Sequence, residues 1–419
     1  MDVQVKIDDL LRPYVKVVGQ VPGGDQVLNR MRELMKVVDN PQQELKIVHI
    51  AGTSGKTSTA YYLSELLNYA NLKIGLTVSP HIDNITERVQ INGQKLAQVK
   101  FLHLLEDLIR KIEKAKIMPT YFELLYAFSI WVFASENVDY AVIETGVGGL
   151  YDATNIAARP DKLCLITDIG IDHTKLLGHT IKAIATQKAG IIHKYNPVIT
   201  YAQDQEIMDV IMRQVRDCSS QLVVIDRLPS DPTLLLPDMP NFQKHNWWMA
   251  YNAYQFLCQR DNLSELSGDV IAQTQHLVIP ARMQAKEFKK KTVILDGAHN
   301  LQKLSALADA YLNSYPNVRT TVILSFKQGK EYAEAAEIIH RFADQVIVTA
   351  FKSSVDLPIT AVKPQLIAVA FRGKGISAIV EANMDKALSL AIKSNTQNIV
   401  ITGSFFLISQ IRASHPELI

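Results

Sequence analysis

Residues 45–58 of this 419-residue chain read LKIVHIAGTSGKTS, and this stretch decides the fold. The apolar run from Leu45 to Gly52 predicts a buried β-strand, and the residues from about Thr57 to Tyr69 predict a helix. Between them lies a turn of small residues that ends in Gly55 and Lys56. A glycine-rich turn that leaves a strand and opens a helix is the context in which backbone amides bind phosphate groups.

The turn predicts a shortened nucleotide-binding loop. The standard phosphate-loop pattern has a glycine five residues before Gly55, whereas this chain has Ile50 there. In our interpretation, Lys56 meets the β- and γ-phosphates of ATP and Thr57 can ligate Mg²⁺. The alternative is a plain strand-to-helix turn with a solvated Lys56. The complete set of predicted loop contacts is Gly52, Thr53, Ser54, Gly55, Lys56, Thr57 and Ser58.

Apolar strands and helical segments alternate along the rest of the chain. In the first half, further strands are predicted at 73–79, 139–145 and 162–170, and helices at 99–115 and 121–135. A second series has predicted strands at 292–300, 320–326, 344–351 and 397–404. Continuous apolar strands separated by helices indicate mostly parallel sheets. We therefore expect an α/β protein with a P-loop parallel-sheet ATPase domain (1–279) and a smaller Rossmann-like α/β domain (280–419).

Composition argues against two classes of partner. The 44 basic and 42 acidic residues give a formal net charge of +2, so no charge excess points to nucleic acid or to an anionic membrane. The longest apolar run, 124–134, is too short to span a bilayer. The N-terminal residues lack the basic and apolar regions of a signal peptide, which favours a cytoplasmic protein. The scattered cysteines have no metal-ligand spacing and are interpreted as buried thiols.

Several segments resemble a known family. The loop GTSGKTS (52–58) resembles the GTNGK-type loop of the Mur ligase superfamily. Other segments are similar to the folylpolyglutamate synthase and dihydrofolate synthase branch of that superfamily. These are VSPHIDNITERVQING (78–93), ETGVGGLYDATN (144–155), DIGIDHTKLLGHT (168–180), QKAGI (187–191), PARMQ (280–284), LDGAHN (295–300) and TGSFFLISQIR (402–412). They follow the family's order along nearly the whole chain.

The resemblance implies an activity. Members of this family use ATP to add L-glutamate to dihydropteroate or to a reduced folate, through an acyl phosphate. We expect the same substrates here, in a monomer. Three departures bear on the acceptor: Thr57 stands where folate enzymes often have Gly, Leu150 where many relatives have Arg, and Ala281 where the usual motif has Gly. Two alternatives stay open, a cell-wall Mur-type amino-acid ligase and a P-loop NTPase that is not a ligase.

A Mg²⁺ site is predicted beside the loop. Mg²⁺ prefers oxygen ligands and usually keeps several waters. Glu144 ends a predicted strand, where a carboxylate can reach a nucleotide, although it could instead cap a glycine loop. Ser79 could equally be an ordinary turn residue. His173 and Lys188 join the set only through the resemblance, which implies a metal-site histidine and a carbamylated lysine. The full predicted metal set is Thr57, Ser79, Glu144, His173 and Lys188.

The resemblance also implies nucleotide contacts outside the loop. Arg282, Asp296 and His299 are carried over as contacts from the second domain, with Arg282 stabilising charge on the transferring phosphoryl group. Asn252 is carried over as a residue near the adenine. The alternatives are a salt bridge for Arg282 and a turn cap for Asp296. The expected catalytic residues are Lys56, Lys188, His173 and Arg282.

Overall fold

The computed structural model describes residues 3–15, 23–352 and 359–418. The chain divides into two compact units. The first runs up to Met239 and includes Gln243–Leu277, and the second comprises Pro240–Phe242 and the residues from Val278 onward. Each unit is built on one sheet whose strands are mostly parallel, which confirms the predicted α/β class.

The first unit contains an eight-stranded sheet in the order β4-β3-β2-β5-β1-β6-β7-β8. All neighbours are parallel except at the edge formed by β2, β3 and β4. The strands are β1 (Ile47–Ala51), β2 (Ile74–Thr77), β3 (Gln90–Ile91), β4 (Gln94–Lys95), β5 (Tyr140–Glu144), β6 (Leu163–Ile166), β7 (Val198–Tyr201) and β8 (Leu222–Ile225).

Ten α-helices lie among the described residues of this part of the chain. Side chains of α1, α2, α4 and α5 form one apolar core with β5, while α7 and α8 form another with β6 and β7. The helices are α1 (Val3–Val15), α2 (Asp25–Lys36), α3 (Lys56–Tyr69), α4 (Gln98–Ala115), α5 (Tyr121–Ser135), α6 (Thr174–Leu177), α7 (Ile181–Ala189), α8 (Gln205–Asp217), α9 (Asn241–Asp261) and α10 (Gly268–Thr274).

The longest apolar run of the sequence lies in α5. This helix is apolar almost all round because nearly every one of its residues is buried. A capping box fixes its first turn, in which the Thr120 hydroxyl accepts from the Glu123 amide and the Glu123 carboxylate accepts from the Thr120 amide. Among the residues with described structure, no helix combines the length and the apolar character that a bilayer crossing requires.

The second unit contains a six-stranded sheet in the order β13-β12-β11-β14-β10-β9, in which β9 is antiparallel to β10 and the other described neighbours are parallel. Its strands are β9 (Gln284–Phe288), β10 (Lys291–Leu295), β11 (Thr320–Leu324), β12 (Gln345–Val348), β13 (Ala378–Val380) and β14 (Asn398–Thr402). Its helices are α11 (Leu301–Ser314), α12 (Tyr332–His340), α13 (Pro364–Gly373), α14 (Met384–Lys393) and α15 (Phe405–Ser414).

The position of β1 determines where the candidate site lies. Every residue of β1 is buried, and the strand lies between β5 and β6 with parallel register on both sides. Ile50 pairs with Glu144 of β5, and Ala51 pairs with Ile166 of β6. The carboxyl ends of three strands therefore meet where the glycine-rich turn begins, which is the usual place for a ligand in a parallel sheet.

Candidate nucleotide and metal site

The turn after β1 is fastened to the chain segment that follows β6. The amides of Thr53 and Ser54 both donate to the carbonyl of Asp168, at 2.7 and 3.2 Å. The Thr53 hydroxyl accepts from the Gly170 amide at 3.0 Å and donates to the Gly170 carbonyl at 2.9 Å. These bonds hold the first half of the turn rigidly. The amides of the first turn of α3 have no acceptor within the helix, as at any helix start, and can face an anion.

Two glycines of the turn are required by close contacts. A Cβ atom on Gly52 would lie 1.9 Å from the Thr167 hydroxyl oxygen. Gly55 has a φ of +91°, and a Cβ atom there would lie 2.4 Å from Oδ1 of Asn246. A left-handed φ costs an L-residue about 1–2 kcal/mol before any clash is counted. The turn can therefore keep this shape only with glycine at both positions.

Two lysines converge on one backbone oxygen of the turn. Lys56, the first residue of α3, donates from Nζ to the Gly52 carbonyl at 3.1 Å. Lys188, in the last turn of α7, donates from Nζ to the same carbonyl at 2.8 Å. Lys188 is only 4% exposed. The structure thus brings two positive side chains to the start of the loop, where phosphate charge would be bound.

Glu144 organises the other side of the loop. Its carboxylate is buried, and Oε1 accepts from the Thr57 hydroxyl at 2.9 Å. Oε2 accepts from the Ser79 amide at 3.0 Å, so Ser79 meets the site through its backbone. Nζ of Lys56 lies 4.0 Å from Oε1. Lys56, Thr57 and Ser79 therefore all lie around the carboxylate of Glu144, which brings four of the predicted site residues together.

The donor set near Glu144 fits a hard cation. In the part of the chain that the structure describes, no three His, Cys, Asp or Glu side chains are grouped so that they could hold a metal. The Thr57 hydroxyl and the Glu144 carboxylate nevertheless lie in hydrogen-bond contact at the phosphate loop. Mg²⁺ is often held by one or two protein oxygens, with waters and substrate phosphates completing the octahedron. These two residues are the ones that would hold it.

His173 lies in the segment after β6, three residues beyond the contact between Gly170 and Thr53. Its backbone is left-handed, with φ +51°, and its amide donates to Oδ1 of Asp172 at 2.8 Å. Its Nε2 lies 3.9 Å from Oδ2 of Asp172, and its side chain is 42% exposed. The described contacts pair His173 with an acid next to the loop rather than with Thr57 or Glu144.

The glycine-rich segment after β5 holds α7 in place. The amide of Leu150 donates to the Gln187 carbonyl at 2.6 Å. The side-chain amide of Asn155 donates to the carbonyls of Leu150 and Gly190, at 3.1 and 2.9 Å. The segment ETGVGGLYDATN therefore locks the end of α7 and, with it, the direction of Lys188.

Helix α9 approaches the loop through Asn246. This side chain is buried, and its Oδ1 lies against Gly55. Asn252, the residue predicted from the resemblance, instead donates from Nδ2 to the Trp248 carbonyl of its own helix at 2.8 Å. Asn246 was missed because it belongs to no phosphate-loop pattern, and its approach to Gly55 depends on how α9 packs. Ser58 is buried within α3.

The second unit brings its three predicted residues together by itself. Asp296 is buried, and its carboxylate accepts from the amides of Met283 and Ala298, both at about 2.8–2.9 Å. Burial raises the pKa of the Asp296 carboxyl, and the nearby Arg282 opposes that rise. Nδ1 of His299 donates to the Gly297 carbonyl at 2.8 Å. The three residues thus surround the turn at the carboxyl end of β10.

Ala281 occupies a backbone conformation that glycine favours. Its φ is +51°, and the residue is completely buried. Its carbonyl accepts from the Gly297 amide at 3.0 Å, which ties the segment before β9 to the turn after β10. The departure from glycine at this position therefore introduces backbone strain of about 1–2 kcal/mol next to Arg282.

Family models match both units. A model described as the Mur ligase middle domain matches residues 50–227, and a model described as the C-terminal domain of dihydrofolate synthetase matches residues 279–413. The first match includes the loop, Glu144, His173 and Lys188. The second includes Arg282, Asp296 and His299.

Individual relatives cover nearly the whole chain. Dihydrofolate synthetase of Saccharomyces cerevisiae is 28% identical over 93% of this chain and 97% of its own length. Dihydrofolate synthase/folylpolyglutamate synthase of Bacillus subtilis is 27% identical over 92% of this chain and 94% of its own. Folylpolyglutamate synthase of Mycobacterium tuberculosis, solved with ADP and AMPPCP, superposes with a TM-score of 0.84 at 25% identity over 98% of both chains.

The contact between Gly55 and Asn246 leads to a stability prediction. We expect Gly55→Ala to lower the free energy of unfolding of the first unit by about 2–3 kcal/mol, from the φ strain and the clash. Adding Asn246→Ala should recover the clash contribution but not the strain, so the two changes are non-additive. Urea unfolding can be followed by fluorescence, because Trp131, Trp247 and Trp248 all lie in this unit.

Gly268→Ala is the matched control, because a Cβ atom there would meet nothing within 4 Å. Its unfolding midpoint should be no lower than that of the wild type, because alanine at a compatible position restricts the unfolded chain. Additive effects of Gly55→Ala and Asn246→Ala would contradict the assigned contact.

Proposed function

Because this chain belongs to the folylpolyglutamate synthase and dihydrofolate synthase family of the Mur ligase superfamily, we propose that it is an ATP-dependent ligase that joins L-glutamate to the carboxylate of a folate or of dihydropteroate. The observation that carries the proposal is the convergence of Lys56, Thr57 and Glu144 where β1 ends. A phosphate loop with a cation and oxygen ligands is the machinery that phosphoryl transfer needs.

The first step transfers a phosphoryl group. A carboxylate oxygen of the acceptor attacks the γ-phosphorus of ATP, the bond to the β–γ bridging oxygen breaks, and ADP leaves. Lys56 and the amides at the start of α3 draw negative charge from the phosphates. Because the turn is already fastened through Asp168 and Gly170, these donors need little reorganisation during the step. Mg²⁺, held by Thr57 and Glu144, would neutralise phosphate charge.

The second step forms the amide. The neutral amine of glutamate attacks the carbonyl carbon of the acyl phosphate, and inorganic phosphate leaves from the tetrahedral intermediate. The amine loses a proton as the amide forms. Catalysis of both steps would come mainly from positioning and from electrostatic stabilisation.

We assign the nucleotide and catalytic roles as follows. Lys56 and the loop residues bind the phosphates, with Gly52, Thr53, Ser54, Gly55 and Ser58 shaping the loop. Arg282, Asp296 and His299 contribute nucleotide contacts from the second domain, for which we keep the boundary at 279/280. Asn252 remains the proposed adenine neighbour, although Asn246 is the residue of α9 that lies against the loop. The monomeric state and the cytoplasmic location remain predictions from the sequence.

Lys188 is proposed to react with CO₂ to form a carbamate. The neutral Nζ attacks CO₂, a C–N bond forms and one proton is released, which converts a cation into an anionic oxygen ligand for the metal site. A carbamylated lysine keeps one N–H, so the hydrogen bond from Nζ to the Gly52 carbonyl is compatible with the modification. The burial of Lys188 favours the neutral amine that the reaction requires.

The activity is tested by incubating the protein with ATP, Mg²⁺, labelled glutamate and either dihydropteroate or a reduced folate. We expect a labelled amide with one ADP formed per bond.

Lys56→Ala should lower turnover on the order of 10²- to 10³-fold, because a preorganised positive charge is lost. Lys36→Ala, which removes an exposed surface lysine, is the control. ATP hydrolysis without an amide product from any acceptor would rule out the ligase, as would wild-type turnover of Lys56→Ala at saturating ATP.

The metal site is tested by Mg²⁺ titration. We propose that His173 also belongs to the metal site, on the resemblance alone, so Glu144→Gln and His173→Ala should each raise the Mg²⁺ concentration for half-maximal activity by about tenfold or more. In Glu144→Gln, a neutral amide replaces the anionic ligand that also orients the Thr57 hydroxyl. Glu33→Gln, at an exposed carboxylate, should leave the titration unchanged. Unchanged titrations in both site variants would remove these residues from the metal site.

The carbamate is tested with ¹³C-labelled bicarbonate. The wild type should show a carbamate resonance that is lost in Lys188→Ala, together with activity that a short carboxylic acid in solution partly restores. Lys182→Ala, at an exposed position on the same helix, should keep both the resonance and the activity. If small amines rescue Lys188→Ala and carboxylates do not, Lys188 acts as a cation on phosphate instead.

A further inference from the structure

Three segments of the second unit meet at the ring of Phe405. This residue begins α15, directly after Ser404, whose hydroxyl accepts from the Phe406 amide and caps the helix. The ring contacts Arg282, from the segment before β9, and His299, from the turn after β10. Phe405 is only half-buried, so its position is not explained by core packing alone.

Arg282 lies over the face of this ring. The central carbon of its guanidinium is 4.7 Å from the ring centroid, a distance at which the ring quadrupole attracts a cation. One guanidinium N–H, on Nη1, donates to the Ala281 carbonyl at 3.0 Å. The ring face and this carbonyl therefore both constrain the orientation of the Arg282 guanidinium.

His299 meets the same ring edge to face. The two ring centroids are 5.6 Å apart with an interplanar angle of 63°. On its other side, Nδ1 of His299 donates to the Gly297 carbonyl, and a carbonyl can only accept, so Nδ1 carries the proton. Nε2 is then an acceptor in the neutral imidazole, and Lys303 Nζ lies 3.4 Å from it. The phenyl ring and the carbonyl together fix the orientation and the tautomer of His299.

Gly297 shows how closely the ring is fitted. A Cβ atom on Gly297 would lie 1.9 Å from Cε1 of Phe405 and 2.3 Å from its Cζ. The backbone of the turn after β10 therefore passes directly against the phenyl ring. Any residue larger than glycine would displace the ring, and with it the contact surface of Arg282 and His299.

We propose that Phe405 is a positioning residue that sets the geometry of Arg282 and His299 for nucleotide binding and phosphoryl transfer. The inference rests on the proposed function, because it assumes that these two side chains contact the nucleotide. In this proposal, Phe405 acts through these two side chains. Its role is to give two ligand-binding side chains a common rigid support, which loop residues otherwise lack.

The test compares Phe405→Leu with Phe405→Tyr and Phe406→Leu. Leucine keeps an apolar side chain but has no π face, so kcat/KM for ATP should fall by about three- to thirtyfold. Tyrosine keeps the ring and should stay within about twofold of the wild type. Phe406→Leu is the matched control, because the neighbouring ring stacks on Phe351 and not on Arg282. It should lower the melting temperature as much as Phe405→Leu while leaving kcat/KM unchanged.

A double-mutant cycle separates positioning from general packing. In an Arg282→Ala background, Phe405→Leu should lower kcat/KM for ATP by a clearly smaller factor than in the wild type, since only His299 is left for the ring to position. An undiminished effect in that background, a wild-type kcat/KM in Phe405→Leu, or equal kinetic effects of Phe405→Leu and Phe406→Leu would each overturn the proposal.

ADP affinity measured by calorimetry distinguishes failure of the proposed Phe405 role from failure of the proposed ligase function. If the wild type makes no amide but Phe405→Leu still weakens ADP binding in an Arg282-dependent way, the ligase assignment fails and the positioning role stands. If the wild type makes the amide and ADP binding is the same in Phe405→Leu, Arg282→Ala and the wild type, the positioning role fails alone.

Discussion

The candidate site depends on the carbonyl oxygen of Gly52. This atom follows β1 directly, and it accepts hydrogen bonds from both Lys56 and Lys188. Because β1 lies between β5 and β6, the residues after those strands reach the same place: Glu144 from one side and Asp168 from the other. This one neutral backbone acceptor therefore connects the start of α3, the end of α7 and the glycine-rich turn after β1.

The net charge of the side chains around the Gly52 carbonyl must allow both phosphate groups and a metal ion to bind. With an ammonium at Lys188, the two lysines and Glu144 sum to a formal charge of +1, which favours a bound polyphosphate. With a carbamate at Lys188, the same groups sum to −1, which favours a divalent cation that then binds the phosphates itself. The hydrogen bond to Gly52 persists in either form. The hydrogen bond is therefore compatible with both forms, while the charge that the loop presents to a ligand depends on the modification.

Much of this arrangement could be predicted from local sequence, and the rest depends on contacts between distant segments. Strand β1, the turn and α3 were predicted because an apolar run, small residues and a helical segment occur in order. Strands β7, β8, β9 and β13 and the β3–β4 hairpin were not predicted. Strands β9 and β4 carry exposed polar residues that weaken the pattern, whereas β7 is a buried apolar run as long as the predicted strands β2 and β6, so its local pattern does not explain the omission. Ile50, which stands where the standard pattern has glycine, lies within β1 and is paired with Glu144, so the strand extends through that position.

The roles of individual site residues are likewise only partly predictable from local sequence. Lys56, Thr57, Glu144 and Lys188 lie together, but Ser79 contributes its amide rather than its hydroxyl to Glu144, which no sequence pattern specifies. The contact between Asn246 and Gly55 spans 191 residues of sequence, so it depends on helix packing and not on a motif. Local patterns identify which residues carry charge near a turn. Only the packed structure determines which atom of each residue faces the ligand.

In both units, neutral groups help to orient the key cations. In the first, Lys56 and Lys188 share a backbone carbonyl, and in the second, Arg282 lies on an aromatic face. Carboxylates also lie near these cations: Nζ of Lys56 is 4.0 Å from Oε1 of Glu144, and Arg282 opposes the rise in the pKa of Asp296. Neutral acceptors and π faces add orientation without cancelling further positive charge. Binding of a highly charged ligand such as ATP favours this arrangement, because its phosphates then meet cations that are already oriented.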